Sequence, residues 1–371
     1  MSQKLFSPAR LGSLTLRNHL VMAPMTRARA LGNVPNEMVA EYYAQRATAG
    51  LIISEGTSPS PHGLGYARMP GLFNQQQVAG WQLTTTAVHA QGGHIFVQLM
   101  HAGRVHHPLN LPEGAAAVGP SAVAAAGEMW TDQQQMQPHP APRALAAEEV
   151  GDVVQEFVKS AQLAIEAGFD GVELHGANGY LLEQFLHPVA NQRTDQYGGS
   201  VENRARFVLE VAAAVVAAIG AERTGIRLSP WGVASDMPHY PEIHETYLYL
   251  AQELQKLNLV YLHLVDHESM GAPTVPAETV AAMRQAFTNT LILSGGYNTA
   301  AEAEEALSSR GADLVAIGRP FISNPDLVER LRQGAELAPY DPNTFYAPGP
   351  EGFQQGYTDY PALSGQPALA Q

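Results

Sequence analysis

Short apolar runs rich in β-branched and aromatic residues recur along the chain, separated by longer stretches in which apolar positions have helical spacing. The short runs predict eight strands, at residues 19–25, 50–57, 93–101, 169–176, 224–230, 259–267, 290–296 and 312–320. The longer stretches predict helices at residues 36–48, 74–91, 147–167, 200–219, 243–257, 276–287, 299–309 and 325–334. Eight alternations of an apolar strand with a helix are typical of a parallel sheet closed into a (β/α)8 TIM barrel.

An open, doubly wound sheet is the alternative arrangement of the same elements. A dinucleotide-binding fold of that kind would carry a G-x-G-x-x-G turn after its first strand, where this chain has APMTRARA, residues 23–30. The barrel is therefore the favoured prediction, with residues 1–371 as a single domain.

Three segments fall outside the alternation of strands and helices. Residues 5–18 contain two short apolar runs around Gly12 and predict a hairpin that closes the bottom of the barrel. Residues 104–146, after the third strand, are rich in Pro, Ala, Gln and Gly and are too long for a bare connection, so we expect a capping insertion or lid. Residues 341–371 form a loop-like tail with several aromatic residues, which we expect to fold back over a site.

Composition excludes several classes of function. The formal charge of −14, from 35 acidic and 21 basic residues, argues against nucleic-acid or acidic-membrane partners, which need clustered Lys and Arg. The absence of cysteine excludes disulfides, Cys-ligated zinc and iron–sulfur clusters. The sequence shows neither an apolar signal core at its start nor a membrane-length apolar run, so a cytoplasmic protein is expected.

Catalytic groups in a TIM barrel come from the carboxyl ends of the strands. The predicted strand ends carry no pair of carboxylates, which makes a glycosidase a weak interpretation. None of the three lysines, Lys4, Lys159 and Lys256, lies at a strand end, so a Schiff-base enzyme is also disfavoured. His263 and His267 are the nearest approach to a metal-ligand pair, and we interpret them as structural because partners are lacking; no metal is expected.

The turns after the last two strands, SGGYNTAAEAEEAL and IGRPFISNPDLVERL, each pass through glycine into a helix start. Bare backbone N–H groups at such turns bind anions, and TIM barrels frequently bind phosphate after strands seven and eight. The amide of Gln98, the charge of Arg227 and the hydroxyl of Thr26 match the edge of an isoalloxazine ring. FMN is therefore a plausible phosphorylated ligand, although each residue alone is a weak signal.

The stretch HGANGYLLEQFLHP, residues 175–188, follows the fourth predicted strand. Its Asn-Gly pair predicts a turn, because both residues tolerate positive φ. His175, Asn178 and Tyr180 are three hydrogen-bonding side chains within six residues around that turn. A polar strand-to-helix connection and a catalytic cluster are both open interpretations of these residues.

The motifs quoted above, together with SEGT, FVQLMHAGR, IRLSP and GYTDYP, resemble the Old Yellow Enzyme family of FMN-dependent ene-reductases, especially its bacterial branch of pentaerythritol tetranitrate, morphinone and xenobiotic reductases. The motifs follow in the same order from about residue 4 to about residue 362, and the segment 173–207 is highly specific. The resemblance implies non-covalent FMN, reduction by NADPH or NADH, small-molecule substrates, and a monomer or weak homodimer. Activated alkenes (enals, enones, maleimides and quinones) are the implied substrates, with nitro compounds and nitrate esters as further candidates.

The resemblance also implies roles for individual residues. His175 and Asn178 would bind a carbonyl or nitro oxygen, and Tyr180 would give a proton to the α-carbon while hydride reaches the β-carbon. The residues implied to hold the flavin are Pro24, Met25, Thr26, Gly56, Gln98, Arg227, Gly295, Gly296, Gly318 and Arg319. The residues implied to line the substrate pocket are Thr26, Tyr66, Met100, His175, Asn178, Tyr180 and Tyr357.

One departure from the family pattern is Met100, because many relatives carry Trp two residues after the flavin-pairing Gln. A flexible thioether in place of an indole should change the shape of the pocket. Two other functions on the same barrel stay open: a non-catalytic FMN-binding redox sensor, and an FMN dehydrogenase acting on a hydroxy acid or dihydropyrimidine.

Overall fold

The computed structural model describes residues 4–363. Two hairpin strands come first, β1 (Ala9–Leu11) and β2 (Leu14–Leu16), followed by the barrel strands β3 (Leu20–Met22), β4 (Leu51–Thr57) and β5 (Ile95–Leu99). Four short strands then lie in the insertion: β6 (Val118–Gly119), β7 (Glu128–Thr131), β8 (Gln135–Pro138) and β9 (Arg143–Ala144). The barrel continues with β10 (Gly171–Gly176), β11 (Thr224–Leu228), β12 (Tyr261–Val265), β13 (Thr290–Ser294) and β14 (Leu314–Ile317).

The eight barrel strands form one closed parallel sheet. Neighbours follow the chain order, and β14 pairs with β3 to complete the circle, with Val315 opposite Leu20. Each barrel strand lies within one of the eight predicted strand ranges. The predicted (β/α)8 TIM barrel is thus confirmed, and the open-sheet alternative is wrong.

Ten α-helices surround the barrel in the described part of the chain: α1 (Glu37–Ala44), α2 (Gln75–Ala90), α3 (Val150–Glu166), α4 (Leu181–Leu186), α5 (Val201–Ile219), α6 (Ile243–Lys256), α7 (Ala277–Ala286), α8 (Ala300–Ser309), α9 (Arg319–Ser323) and α10 (Leu327–Gln333). Four of them begin at side chains that accept a backbone N–H: Asn36, Asn74, Ser200 and Thr299. The sequence predicted eight of the ten. The short helices α4 and α9 were missed because a single turn or two carries too little periodicity to be recognised.

The amino-terminal hairpin closes one end of the barrel, as predicted. Strands β1 and β2 pair in antiparallel register around Gly12, which has a φ of +55°. Leu11 and Leu16 are buried in a cluster with Phe96 and Tyr261 from the barrel interior. The opposite end, where the strands terminate, is left open for a site.

The insertion of residues 104–146 folds into two small sheets. Strand β6 pairs with β9, and β7 pairs with β8 as an antiparallel hairpin. Met129 on β7 is buried in a cluster with Met100 and Tyr180 from the open end of the barrel. The insertion therefore packs on the carboxyl ends of the strands.

Three fully buried arginines, Arg27, Arg29 and Arg46, fix the segment of residues 341–363 onto the barrel. Arg27 donates to the carbonyl of Gly356 at 2.7 Å. Arg29 donates to the carbonyl of Thr344 at 2.8 Å. Residues 364–371 of the predicted tail lie outside the described residues.

Arg46 joins the barrel to this carboxyl-terminal segment. Its guanidinium donates to the carbonyls of Phe321 and Ile322, each at 2.8 Å, and to that of Tyr357 at 3.4 Å. It also lies 3.7 Å from the centroid of the Tyr42 ring, which stacks on the Tyr357 ring at 4.1 Å. A buried charge is thereby surrounded by oxygen atoms and π-faces. Among residues 4–363, no helix has the length and hydropathy needed to span a membrane.

We expect Arg46→Met to lower the free energy of unfolding by at least about 3 kcal/mol, because several buried carbonyls lose their donor at about 1–3 kcal/mol each. Urea denaturation followed by circular dichroism measures the change. Arg143→Met is the matched control: the Arg143 side chain is 52% exposed and forms one surface ion pair with Glu149, worth at most about 1 kcal/mol. Equal losses in the two variants would contradict the structural role of Arg46.

Candidate active site at the carboxyl ends of the strands

A cavity of about 890 Å³ opens at the carboxyl ends of the barrel strands. Residues from the ends of β3, β5, β10, β11, β13 and β14 form its floor, and the insertion and carboxyl-terminal segment form its rim. Most of the residues singled out from the sequence lie on its wall: Pro24, Met25, Thr26, Tyr66, Gln98, Met100, His175, Asn178, Tyr180, Arg227, Gly295, Gly296, Gly318 and Arg319.

Gly56 and Tyr357 are not on that wall within the described residues. A Cβ at Gly56 would lie 2.5 Å from the sulfur of Met100, so this glycine makes room for the Met100 side chain. Tyr357 is fully buried behind the cavity, stacked on Tyr42 and covered by Arg27 at 5.2 Å. The prediction that Tyr357 lines the pocket is therefore corrected: its ring anchors the carboxyl-terminal segment, and other residues of that segment reach the cavity.

The turn after β10 has the predicted backbone conformation. Asn178 and Gly179 have φ values of +59° and +77°, and α4 starts two residues later. His175 Nε2 and Asn178 Nδ2 are 3.5 Å apart on the cavity wall. In the Nε2–H tautomer, both nitrogens can donate to a single oxygen atom placed between them. His175 Nδ1 and Asn178 Oδ1 are buried without a partner among the described residues.

Burial controls the protonation of this cluster. It lowers the pKa of His175 well below its ordinary value, and the nearby Arg227 lowers this pKa further. Burial also raises the pKa of Tyr180 well above its ordinary value, and the neighbouring Tyr66 adds to the effect. The hydroxyls of Tyr66 and Tyr180 are 2.8 Å apart and hydrogen-bonded. At neutral pH the imidazole of His175 is uncharged and Tyr180 keeps its proton.

Glu183, on α4, holds the turn in place. Its carboxylate accepts the N–H of Gly179 at 2.6 Å and the hydroxyls of Ser229 and Tyr247 at 2.8 and 2.5 Å. The Ser229 oxygen accepts the N–H of Asn178 at 2.9 Å. The sequence reasoning missed this network, although an acid inside the buried run LLEQFL was a signal that Glu183 needed partners.

A second buried acid, Glu173 on β10, lies beneath the site. It accepts the amide N–H of Gln98 at 2.8 Å and contacts His263 Nδ1 at 2.8 Å. The other nitrogen of His263 lies 3.1 Å from the hydroxyl of Ser294. These contacts agree with the interpretation of His263 as a structural residue. Glu173 interrupts an apolar strand, which was the available signal in the sequence.

Comparison with known proteins gives a consistent assignment. The family model described as "NADH:flavin oxidoreductase / NADH oxidase family" matches residues 4–338. The chain is 43% identical to 12-oxophytodienoate reductase 7 of Oryza sativa subsp. japonica, covering 98% of this chain and 95% of that protein. The chain belongs to the NADH:flavin oxidoreductase family, which includes the Old Yellow Enzymes.

Solved structures agree with this membership. Morphinone reductase superposes with a TM-score of 0.93 at 46% identity, covering 98% of this chain and 97% of that one. A second structure of that protein is a complex with tetrahydroNAD. The Old Yellow Enzyme homologue from Zymomonas mobilis superposes with a TM-score of 0.91 at 41% identity, covering 97% of this chain and 99% of that one. The predictions of an FMN-dependent, NAD(P)H-driven oxidoreductase of the ene-reductase family are thereby confirmed.

The residues present fit FMN. Arg227 is buried, and its Nε has no acceptor among the described residues, so a ligand acceptor would satisfy it. A Cβ at Gly318 would meet no protein atom closer than 3.6 Å, which leaves open space at the end of β14. Gly296 has a φ of +80°, which exposes backbone beside that space. Arg319 is exposed on the same wall and can reach a phosphate.

The titration of Glu183 gives a test of the turn network. Burial raises the pKa of Glu183 to about 7, although hydrogen bonds from Tyr247, Gly179 and Ser229 oppose the shift. A carboxyl group whose pKa is higher in the folded than in the unfolded protein stabilises the fold fully at pH values below its unfolded-state pKa. This stabilisation is lost as the pH rises through its folded-state pKa. Glu183→Gln removes the titration. We expect the unfolding free energy of the wild type, minus that of the variant, to fall by roughly 2–3 kcal/mol between about pH 5 and about pH 8.

Urea denaturation at a series of pH values measures this difference. A difference that stays constant with pH would show that the three donors keep the Glu183 carboxyl ionised throughout, against the expectation.

Proposed function

We propose that this protein reduces activated C=C bonds in enals, enones, maleimides and quinones, and also nitro compounds or nitrate esters, with electrons from NADPH or NADH. One observation carries the proposal: His175 on β10, with Asn178 and Tyr180 in the turn that follows, lines the same cavity as the residues proposed to bind the flavin. Two adjacent nitrogen donors beside a protonated phenol suit a substrate that carries an oxygen conjugated to a double bond.

The flavin would be held by residues from five strand ends, those of β3, β5, β11, β13 and β14. Gln98 and Thr26 offer hydrogen bonds to the ring edge, and Arg227 supplies positive charge where the reduced ring is negative. Gly296, Gly318 and Arg319 would hold the phosphate, with Pro24, Met25 and Gly295 beside them. Bound FMN supplies hydride transfer, first from the nicotinamide and then to the β-carbon of the alkene.

His175 and Asn178 would bind and polarise the substrate oxygen. Negative charge grows on that oxygen as the β-carbon is reduced, and hydrogen-bond donors that the fold holds in position stabilise this charge. Uncharged His175 is suited to this role, because a cation beside buried Arg227 would be costly. The backbone N–H groups of Asn178 and Gly179 donate to Ser229 and Glu183, and these bonds fix the backbone of the turn that carries Asn178.

Tyr180 would donate the proton that the α-carbon needs. Its raised pKa keeps the hydroxyl protonated at neutral pH, which is the state a general acid requires. Tyr66 is hydrogen-bonded to it and half-buried on the cavity wall, so it can return a proton to Tyr180 after each turnover. Tyr66 would then regain its proton from water at its exposed part, so that both hydroxyls are protonated before the next turnover.

The half-reactions test this function in the purified FMN-loaded protein under anaerobic conditions. We expect NADPH or NADH to bleach the yellow colour and 2-cyclohexenone to restore it. In Tyr180→Phe, recolouring by the enone should slow by about 10²-fold or more, since the general acid is missing, while bleaching changes little. Tyr240→Phe is the control, because within residues 4–363 its buried hydroxyl has no hydrogen-bond partner and Tyr240 lies off the cavity wall.

The outcomes separate the alternatives. A sensor would bind FMN without being bleached by either nicotinamide. A dehydrogenase would be bleached by a hydroxy acid or dihydropyrimidine and would not be recoloured by the enone. Equal slowing of both half-reactions in Tyr180→Phe would contradict the proton-donor role.

Phenol binding tests the oxygen site without turnover. A phenolate oxygen would sit between His175 and Asn178 over the flavin and give a charge-transfer band. In His175→Ala with Asn178→Ala, we expect the phenol dissociation constant to rise by about 10²-fold or more, because two hydrogen bonds to a charged oxygen are lost at about 1.5–3 kcal/mol each. Asn289→Ala, at the opposite end of the barrel, is the control. An unchanged band and affinity in the double variant would refute the assignment.

A further inference from the structure

Exposed apolar side chains are concentrated at the mouth of the cavity. Within residues 4–363, ten large hydrophobic side chains are exposed, and five of these lie on the cavity wall. The five are Trp130, Met136, Met270, Tyr340 and Tyr346, with exposed fractions between 39% and 61%. A contiguous group of exposed apolar side chains marks a binding surface far more often than isolated ones do.

The rim is built from separate parts of the chain. Trp130 and Met136 face each other across the β7–β8 hairpin as a register pair. Tyr346 belongs to the carboxyl-terminal segment, Tyr340 directly precedes that segment, and Met270 follows β12. These residues are distant in sequence, so contacts between the hairpin, the loop after β12 and the carboxyl-terminal segment are needed to hold them around one opening.

Arg68 provides that connection. Its guanidinium donates to the carbonyl of Tyr346 at 2.9 Å, to the carbonyl of Ala28 at 3.1 Å, and to the carboxylate of Asp132 in the hairpin. The side chain of Arg68 is only 11% exposed. The indole N–H of Trp130 donates to the same Asp132 carboxylate at 3.0 Å. Arg68 therefore links the hairpin, through its ion pair with Asp132, to the carboxyl-terminal segment, through the Tyr346 carbonyl. Asp132 also orients the Trp130 ring.

The rim and the floor belong to one cavity, because Trp130, Met136 and Tyr346 line the same wall as Met100 and Tyr180. Met129 lies on the opposite face of β7 from Trp130 and is buried in one cluster with Met100 and Tyr180, which fixes the hairpin on the floor.

The cavity wall carries two carboxylates, Glu128 in the hairpin and Asp266 after β12. Of the arginines on that wall, Arg68 is engaged by Asp132, and Arg319 is assigned to the flavin phosphate. An uncharged apolar group suits this surface, whereas an anionic group would meet like charge.

We propose that Trp130, Met136 and Tyr346 form a distal apolar subsite, and that the protein favours activated alkenes bearing a large, uncharged apolar substituent. Arg68 and Asp132 act as positioning residues for this subsite. The inference rests on the proposed function, since it places the reacting double bond at Tyr180 and the substituent at the rim. Continuity between the rim and the floor supports a substrate as the occupant, rather than a second copy of the chain.

Two maleimides that share a reacting group test the subsite: N-ethylmaleimide and N-octylmaleimide. The chain has no cysteine for them to alkylate. With the FMN-loaded protein, Trp130→Ala with Met136→Ala should raise KM for N-octylmaleimide about tenfold or more, as loss of apolar contacts does. The variant should leave kcat unchanged, because the lost contacts are made equally in the ground and transition states. It should also leave the KM for N-ethylmaleimide unchanged, because an ethyl group makes none of the lost contacts.

Binding without turnover provides a second readout. N-octylsuccinimide, which lacks the double bond, should bind about tenfold more weakly to the double variant when measured by titration calorimetry. Leu83→Ala is the matched control, since Leu83 is 46% exposed on α2 and off the cavity wall. Trp130→Phe keeps a ring at the rim and should retain most of the affinity.

Variants at Asp132 test the positioning role of Arg68 and Asp132 separately. Asp132→Ala removes the acceptor for both Arg68 and Trp130, and it should raise KM for the octyl substrate alone. Asp132→Asn keeps an acceptor for the indole and should recover part of the loss. A visible FMN spectrum identical to that of the wild type establishes that each variant is folded.

Three results would overturn the inference. The first is an equal rise in KM for both maleimides, which indicates a general structural role. The second is no change in KM or in N-octylsuccinimide binding. The third is a drop in molar mass on sedimentation of the Trp130 variant with unchanged KM, which indicates that a second copy covers the rim. If the wild type reduces neither maleimide, the proposed function itself fails, and N-octylsuccinimide binding still decides whether the rim is an apolar subsite.

Discussion

The register between neighbouring parallel strands decides which side chains meet inside this barrel. Glu173 on β10 lies opposite Gln98 on β5, and two residues further on His175 lies opposite Arg227 on β11. Arg227 lies opposite His263 on β12 in turn. Side chains two apart on a strand point to the same face, so these residues form stacked polar layers in the interior. A shift of one residue in a single pair would turn a whole strand's inward set outward.

Placing charges in such an interior requires compensation, since an unpaired buried ion costs several kcal/mol. Glu173 meets this requirement through Gln98 and His263. Arg227 is compensated less completely: Glu173 raises its pKa, yet burial lowers it by more, and its Nε has no acceptor among the described residues. The fold thus presents a buried cation on the wall of the cavity proposed for the flavin, where a ligand oxygen or nitrogen would complete its hydrogen bonding.

The sequence was sufficient for the barrel and much of the floor, because both depend on local patterns. Apolar runs located all eight strands, and the polar residues near their carboxyl ends, such as Gln98, His175 and Arg227, lie on the cavity wall. The Asn178-Gly179 turn followed from residue type alone. Tyr357 could not be placed in this way: its position depends on a stack with Tyr42 and on buried arginines far away in the chain, which no local pattern reveals.

The rim of the site is built differently from the floor. Backbone ladders fix the floor, so each side chain there is held by two neighbouring strands. The rim is fixed by side-chain bonds between distant segments, with Arg68 joining the loop after β4, the hairpin and the carboxyl-terminal segment. A substitution at Arg68 or Asp132 can therefore reshape the opening without disturbing a strand register. This separation lets the chemistry of the floor stay constant while the selectivity of the rim changes, since the two parts share few supporting contacts.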